Sequence, residues 1–321
     1  MSKAKIIWLI VAVALIVVGA VSFVWAMSAN GWDFTKLSTA KYVTNTYELD
    51  ADFENISINT NTADVIFLPS DSEQGRVVCY EADNERHTVT ATGGTLTVRV
   101  VKNKAWYDYI GFNFDTPKLT VYLPKSEYGR ITVENNTGDV SIPKSFGFVS
   151  MDIATDTGDV RCDASVLESL KIETDTGDVN LATLSAGSVS VMTDTGDVGM
   201  YSVNALRDVG IETDTGKVAL TGVNCKSVVI ESDTGDVSLE SVIATNRFSI
   251  DTDTGDVALI NSDAAEIFIE TETGDVTGSL LSGKTFVTDS DTGDISVPAS
   301  VTGGRCEIIT DTGDITVRVN Q

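Results

Sequence analysis

A Thr-Gly pair recurs along the chain with its glycine at Gly138, Gly158, Gly177, Gly196, Gly216, Gly235, Gly255, Gly274, Gly293 and Gly313. The spacings are 20, 19, 19, 20, 19, 20, 19, 19 and 20 residues. Surface loops drift by many residues between copies. A period held within one residue makes each copy one turn of a regular object. A degenerate earlier copy, "INTNTADV" at Ile58–Val65, has Ala63 where the glycine would stand.

Aligned on the glycine, the copies form columns. Two residues after it stand Val140, Val160, Val179, Val198, Val218, Val237, Val257, Val276, Ile295 and Ile315, all β-branched. Five before it the column runs from Val133 to Ile308 and is apolar except for Thr288. Apolar positions two apart predict strands with one buried face. Coils of 19–20 residues with two or three short strands suit an all-β fold, a parallel β-solenoid (β-helix). About ten coils, stacked at about 4.8 Å, predict a rod of roughly 48 Å. A propeller blade needs four strands, more than such a repeat supplies.

In "ETDTGDV" (Glu173–Val179), strand parity predicts Thr174 and Thr176 inward, and Glu173 and Asp175 outward. Gly177 is expected to supply a positive φ at the bend, and Asp178 to accept backbone N–H groups in an Asx-type turn. The motif then builds corners. Calcium is the alternative, because two acidic columns run along the rod; Asp175, Asp178, Asp194 and Asp197 are the candidates. Lys217 interrupts the second column, and the period is not that of calcium-built β-rolls. An ice-binding threonine array fits poorly with inward threonines flanking a charge. A polysaccharide-acting β-helix fits poorly too. Arg161, Arg207, Arg247 and Arg305 share no repeat position, the single His87 lies outside the array, and every coil carries similar carboxylates. The expectation is a protein without catalytic residues or cofactor.

The formal charge is −25, which disfavours nucleic acid as a partner. Ile6–Met27 is an uncharged, apolar run of 22 residues, roughly 33 Å as a helix, enough to cross a bilayer. Lys3 and Lys5 precede it, and Trp8 and Trp25 sit near its ends. The expectation is a single-pass anchor with the N-terminus cytoplasmic and the bulk outside. The rival is a cleaved signal peptide, whose apolar region is usually about 7–15 residues. The expected organisation is a cytoplasmic tail over 1–5, an anchor over 6–27, a linker over 28–44, an irregular β cap over 45–130 and the solenoid over 131–321. Cys162 and Cys225 fall three repeats apart, about 14 Å at one strand spacing per coil and beyond disulfide reach. Cys162 and Cys306 occupy apolar columns. Within the cap, "AWYDYIGFNF" gathers Trp106, Tyr107, Tyr109, Phe112 and Phe114, expected as a flap over the core or as a partner-binding patch.

An apolar anchor, "ISINTNTADVIFLPS", the aromatic stretch, "LTVYLP", "ITVENNTGDV" and tandem "TDTGDV" copies follow in that order. Over roughly residues 45–321 this layout resembles the bacterial DUF4097 β-strand-repeat proteins, described as adhesin-like. The resemblance implies a β-solenoid at a bacterial envelope, with no catalytic residues to carry over. Some members are linked to envelope-stress systems. Two readings follow. One is a structural or adhesive module in contact with cell-wall polymer, another surface polymer or another envelope protein. The other is an envelope-stress sensor or regulator acting through a membrane partner.

Overall fold

The computed structural model describes residues 3–33, 41–50, 52–102, 115–299 and 302–320. An α-helix spans Lys3–Ala29, slightly longer at both ends than the apolar run predicts. Apart from the buried Met27, its large side chains face outward: Leu15 is 67 % and Trp25 74 % exposed. Residues Lys5–Ala29 are long and apolar enough to cross a membrane, a property they share with a signal sequence.

From Tyr42 onward the chain is a two-sheet β-solenoid. One coil shows the pattern. A long strand, Ser165–Thr176, ends at the Gly177-Asp178 corner, and a short strand, Val179–Ala182, follows. Thr183 then turns the chain with φ 55° into the next long strand, Ser185–Thr195. Long strands stack on long strands and short on short, parallel and in register. Ile172 lies against Val191, Thr174 against Thr193, and Val179 against Val198. Ile172, Val179 and Leu181 are buried between the two sheets, in one core that runs the length of the rod. No coil buries its apolar face alone, so stability comes from neighbours.

Coil order departs from chain order at both ends. Val257–Thr273 pairs with Gly304–Thr312, and that strand pairs in turn with Lys284–Thr292. The short strands agree: Val276–Leu280 pairs with Ile315–Val319, which pairs with Ile295–Ser296. The last coil of the chain is therefore inserted beneath the one before it. Side chains explain the order. The outer coil carries Thr288 in the Ile/Val column and leaves Ile295, in register with the buried Ile315, 44 % exposed. The inserted coil has a complete apolar face, with Cys306, Ile308 and Ile315 fully buried. Its Val317 lies in register with Gly278 and packs into the space that glycine leaves.

The N-terminal end is interleaved in the same way. Asn55–Asn59 pairs with Glu127–Thr137 on one side and Thr95–Lys102 on the other. Asp64–Pro69 likewise lies between Val140–Ile142 and Lys118–Leu123. The degenerate "INTNTADV" copy is thus a true coil within the cap. Beyond it, Gly75–Ala82 runs antiparallel to Lys118–Leu123, Tyr42–Leu49 runs antiparallel to Gly75–Ala82, and Glu85–Thr92 closes the other sheet antiparallel to Thr95–Lys102.

Candidate interaction surfaces

The Gly-Asp corner leaves a gap in the backbone ladder. Gly177 N–H donates to Thr195 O and Val179 N–H to Asp197 O, both at 2.9 Å, while the Asp178 N–H and the Gly177 carbonyl between them are left over. Backbone N–H and C=O groups are obligatory hydrogen-bonding groups, and the motif supplies both partners. Asp178 N–H donates to Asp159 Oδ1 at 2.9 Å, and Asp178 Oδ1 accepts from Asp197 N–H at 2.8 Å. The carboxylate thus serves the next coil, not its own turn as an Asx motif would. The ladder starts at Asp64 and Asp139, runs to Lys217, resumes at Asp236 and ends Asp275–Asp314–Asp294, following the inserted coil. Lys217 has no carboxylate to offer upward; its Nζ lies 3.6 Å from Asp236 Oδ2 instead. The first threonine of the motif takes the leftover carbonyl: Thr193 Oγ1 donates to Gly177 O at 3.4 Å and Thr310 Oγ1 to Gly274 O at 3.2 Å. In the same column Thr155, Thr213, Ser232 and Thr252 have buried hydroxyls with no partner among the described residues.

The glycine has a steric cause beyond its φ of 153° at Gly177. A Cβ there would overlap the Gly158 carbonyl, and the same clash repeats up the column. Parity fails one residue earlier than expected. Thr174 is buried, but Asp175 and Thr176 are both exposed, because the strand bends before the corner. The structure does not gather Asp175, Asp178, Asp194 and Asp197 into any group of three with ligating atoms within 4.8 Å. Trp106, Tyr107, Tyr109, Phe112 and Phe114 lie outside the described residues. All four cysteines are free and buried.

An apolar groove of about 710 Å³ runs along one side of the rod. Val166, Ala186, Ala205 and Cys225 belong to successive coils and line its floor. Tyr128 and Phe148, stacked at 6.0 Å, line one end. Leu167 and Leu206 stand at its rim, 68 % and 80 % exposed. Gly187, in the coil between them, adds no side chain to that ridge.

The repeat columns hid this groove for a specific reason. Several successive long strands shift register here, and the bulge alternates in length. Cys225 pairs with Ala244 and Ser227 with Arg247, so one residue on the first strand faces two on the next. Ala244 then pairs with Ala264 and Arg247 with Glu266, two against one. The one-residue variation of the period falls at this bulge and blurs the alignment. The available signal was the exposed leucines at positions that other coils fill with Gly187 or Lys226.

These features define a class: a two-sheet β-solenoid with an apolar N-terminal helix, glycine-packed corners and a lateral apolar groove. The chain belongs to the family described as Toastrack DUF4097, which matches it over residues 53–207 and 202–321. Among solved structures, a candidate adhesin from Bacteroides fragilis is similar at 16 % identity and TM-score 0.44, over 87 % of this chain and 97 % of that one. A candidate lipid-binding protein from Parabacteroides distasonis is similar at 12 % identity and TM-score 0.47, over 88 % and 98 %. No curated protein is detectably similar to the chain.

Proposed function

We propose that this protein is a membrane-anchored, extracytoplasmic contact module of the bacterial envelope, acting by display and not by catalysis. The apolar groove carries this reading. It is an open concavity on an otherwise acidic rod, and its most prominent side chains, Leu167 and Leu206, are apolar and uncovered. Contiguous apolar surface of this kind marks interaction sites. The partner that fits is another envelope protein presenting apolar side chains; a polysaccharide would call for a more polar lining. The N-terminal helix holds the rod at the membrane, and the continuous ladder from Asn55 to Val319 keeps the groove rigid.

The test replaces Leu167 and Leu206 together with lysine and crosslinks the protein in intact cells. Both side chains are largely exposed, so the fold should survive. Crosslinked partners should be lost, whereas Glu231→Lys on another exposed position should keep them. Equal crosslinking in both variants would remove the groove from the reading. Anchoring is tested separately. The protein should resist high-salt washing of membranes and be released by detergent, and a mature N-terminus near Ala29 would replace the anchor with a signal peptide.

A further inference from the structure

The interior of the N-terminal cap holds a polar cluster that the repeat pattern gives no reason for. Cys79 and Glu81 stand two apart on Gly75–Ala82, on the same buried face. His87 follows a short turn and enters from the opposite sheet on Glu85–Thr92. The three are 0 %, 1 % and 5 % exposed. Cys79 Sγ, a Glu81 carboxylate oxygen and a His87 ring nitrogen all lie within 4.8 Å of one another. Among the described residues this is the one such group of three.

Hydrogen bonds hold the outward side of Glu81 and of His87, and the His87 backbone N–H also donates to Glu81 Oε2 at 2.6 Å. Asn45 Nδ2 donates to Glu81 Oε1 at 2.6 Å, which fixes the carboxylate plane and points Oε2 at His87. Thr60 Oγ1 lies 2.8 Å from His87 Nε2, leaving Nδ1 on the Glu81 side, 2.7 Å from Oε2. Thr60 is the buried threonine of the degenerate repeat. At Thr174, Thr193, Thr271 and Thr310 that hydroxyl reaches a corner carbonyl; here it holds an imidazole. A metal-bound histidine needs its second nitrogen held, and a metal-bound carboxylate needs its second oxygen held. Thr60 and Asn45 stand in those two places.

We propose that Cys79, Glu81 and His87 form a binding site for a divalent transition-metal ion of the zinc type. One thiolate, one imidazole and one carboxylate is a donor set such ions accept, and calcium or magnesium would not choose the sulfur. On binding, the thiol loses one proton to solvent. The imidazole would bind through Nδ1 and carry its proton on Nε2, which donates to Thr60 Oγ1. The hydrogen bond between Nδ1 and Oε2 is replaced by two bonds to the ion. The site would tie the two sheets together at the N-terminal end of the rod.

The experiment refolds the full chain in detergent with Co²⁺, and separately with Zn²⁺, then removes free ion. The expected result is one ion per chain by elemental analysis, with a thiolate-to-cobalt charge-transfer band in the near ultraviolet. Cys79→Ala should reduce that band at least tenfold, and Cys306→Ala should leave it. Asn45→Ala keeps all three ligands and should weaken Zn²⁺ binding by about 10–100-fold, the range for an outer-shell partner. The folded unsubstituted chain decides the matter even if Cys79→Ala misfolds. Absence of both the band and stoichiometric metal would overturn the site, as would a band that persists in folded Cys79→Ala.

Discussion

Lys284 Nζ lies 2.6 Å from Asp263 Oδ1, and the coil between those two residues in the stack is the last one in the chain. Lys284 is 2 % exposed. Its in-register neighbour in the intervening strand is Gly304, which puts no side chain in the way. The ion pair therefore spans the inserted coil and fastens the outer coil over it. Removing one partner of a buried pair strands the other charge and costs about 3–5 kcal/mol. Lys284→Met should lower stability by that order in a urea melt. The double variant Lys284→Met, Asp263→Leu should recover most of the loss, since apolar replacement of both partners is often neutral. Equal losses in the single and double variants would show that the pair does not fasten the end.

Two glycines separate crowding from flexibility. At Gly177 a Cβ would overlap the Gly158 carbonyl, whereas at Gly210 it would meet nothing within 4 Å. Gly177→Ala should lose about 1–3 kcal/mol or more through overpacking. Gly210→Ala should be neutral or gain up to about 1 kcal/mol, because a strand glycine carries an entropic cost. Chemical denaturation of the pair checks the corner geometry; similar midpoints would contradict it.

The aspartate ladder predicts a salt response. Each carboxylate in the second column short of the terminal Asp294 accepts a backbone N–H, and solvent screens what remains. Sodium chloride should raise the melting temperature about as much as calcium chloride at matched ionic strength. Saturable calcium binding below about 100 μM, well within the range of dedicated sites, would restore calcium as the ladder's purpose.

Burial pushes the Cys162, Cys225 and Cys306 thiols up to about 12 from 9.0. The folded state keeps three protons that the unfolded chain releases in this interval, so it binds more protons. Stability is then full below about pH 9 and falls as pH rises towards about 12. Melting temperature should decline from pH 9 to pH 11, and the same thiols should resist iodoacetamide at pH 8 until the protein is unfolded. A flat profile over that interval would place the thiols in contact with solvent.

Much of this was legible in the chain. The columns at Val179 and Ile172 gave the inward faces because a strand's period is fixed at two. The corner glycines announced themselves because no other residue fits under the carbonyl of the coil below. Even the outer coil left a trace in Thr288, a polar residue in an apolar column, although its meaning needed the stack. The groove at Leu167 and Leu206 was illegible because the bulge beneath it varies in length. In the sequence His87 reads only as lying outside the array, since its partners stand apart from it: Thr60 just after Asn55–Asn59, and Cys79 and Glu81 on Gly75–Ala82.

The sequence by itself determined the local rules: where strands run, which face is buried, where the corners fall and that the coils must stack. Those follow from side-chain periodicity and backbone sterics, which act within one coil and its nearest copy. Only the tertiary structure decided which coil lies on which. Near-identical repeats pair almost equally well in any order, so local pattern cannot rank the orders. The ranking comes from contacts made once, at the ends: Val317 filling the space over Gly278, Lys284 reaching Asp263, and Thr60 meeting His87.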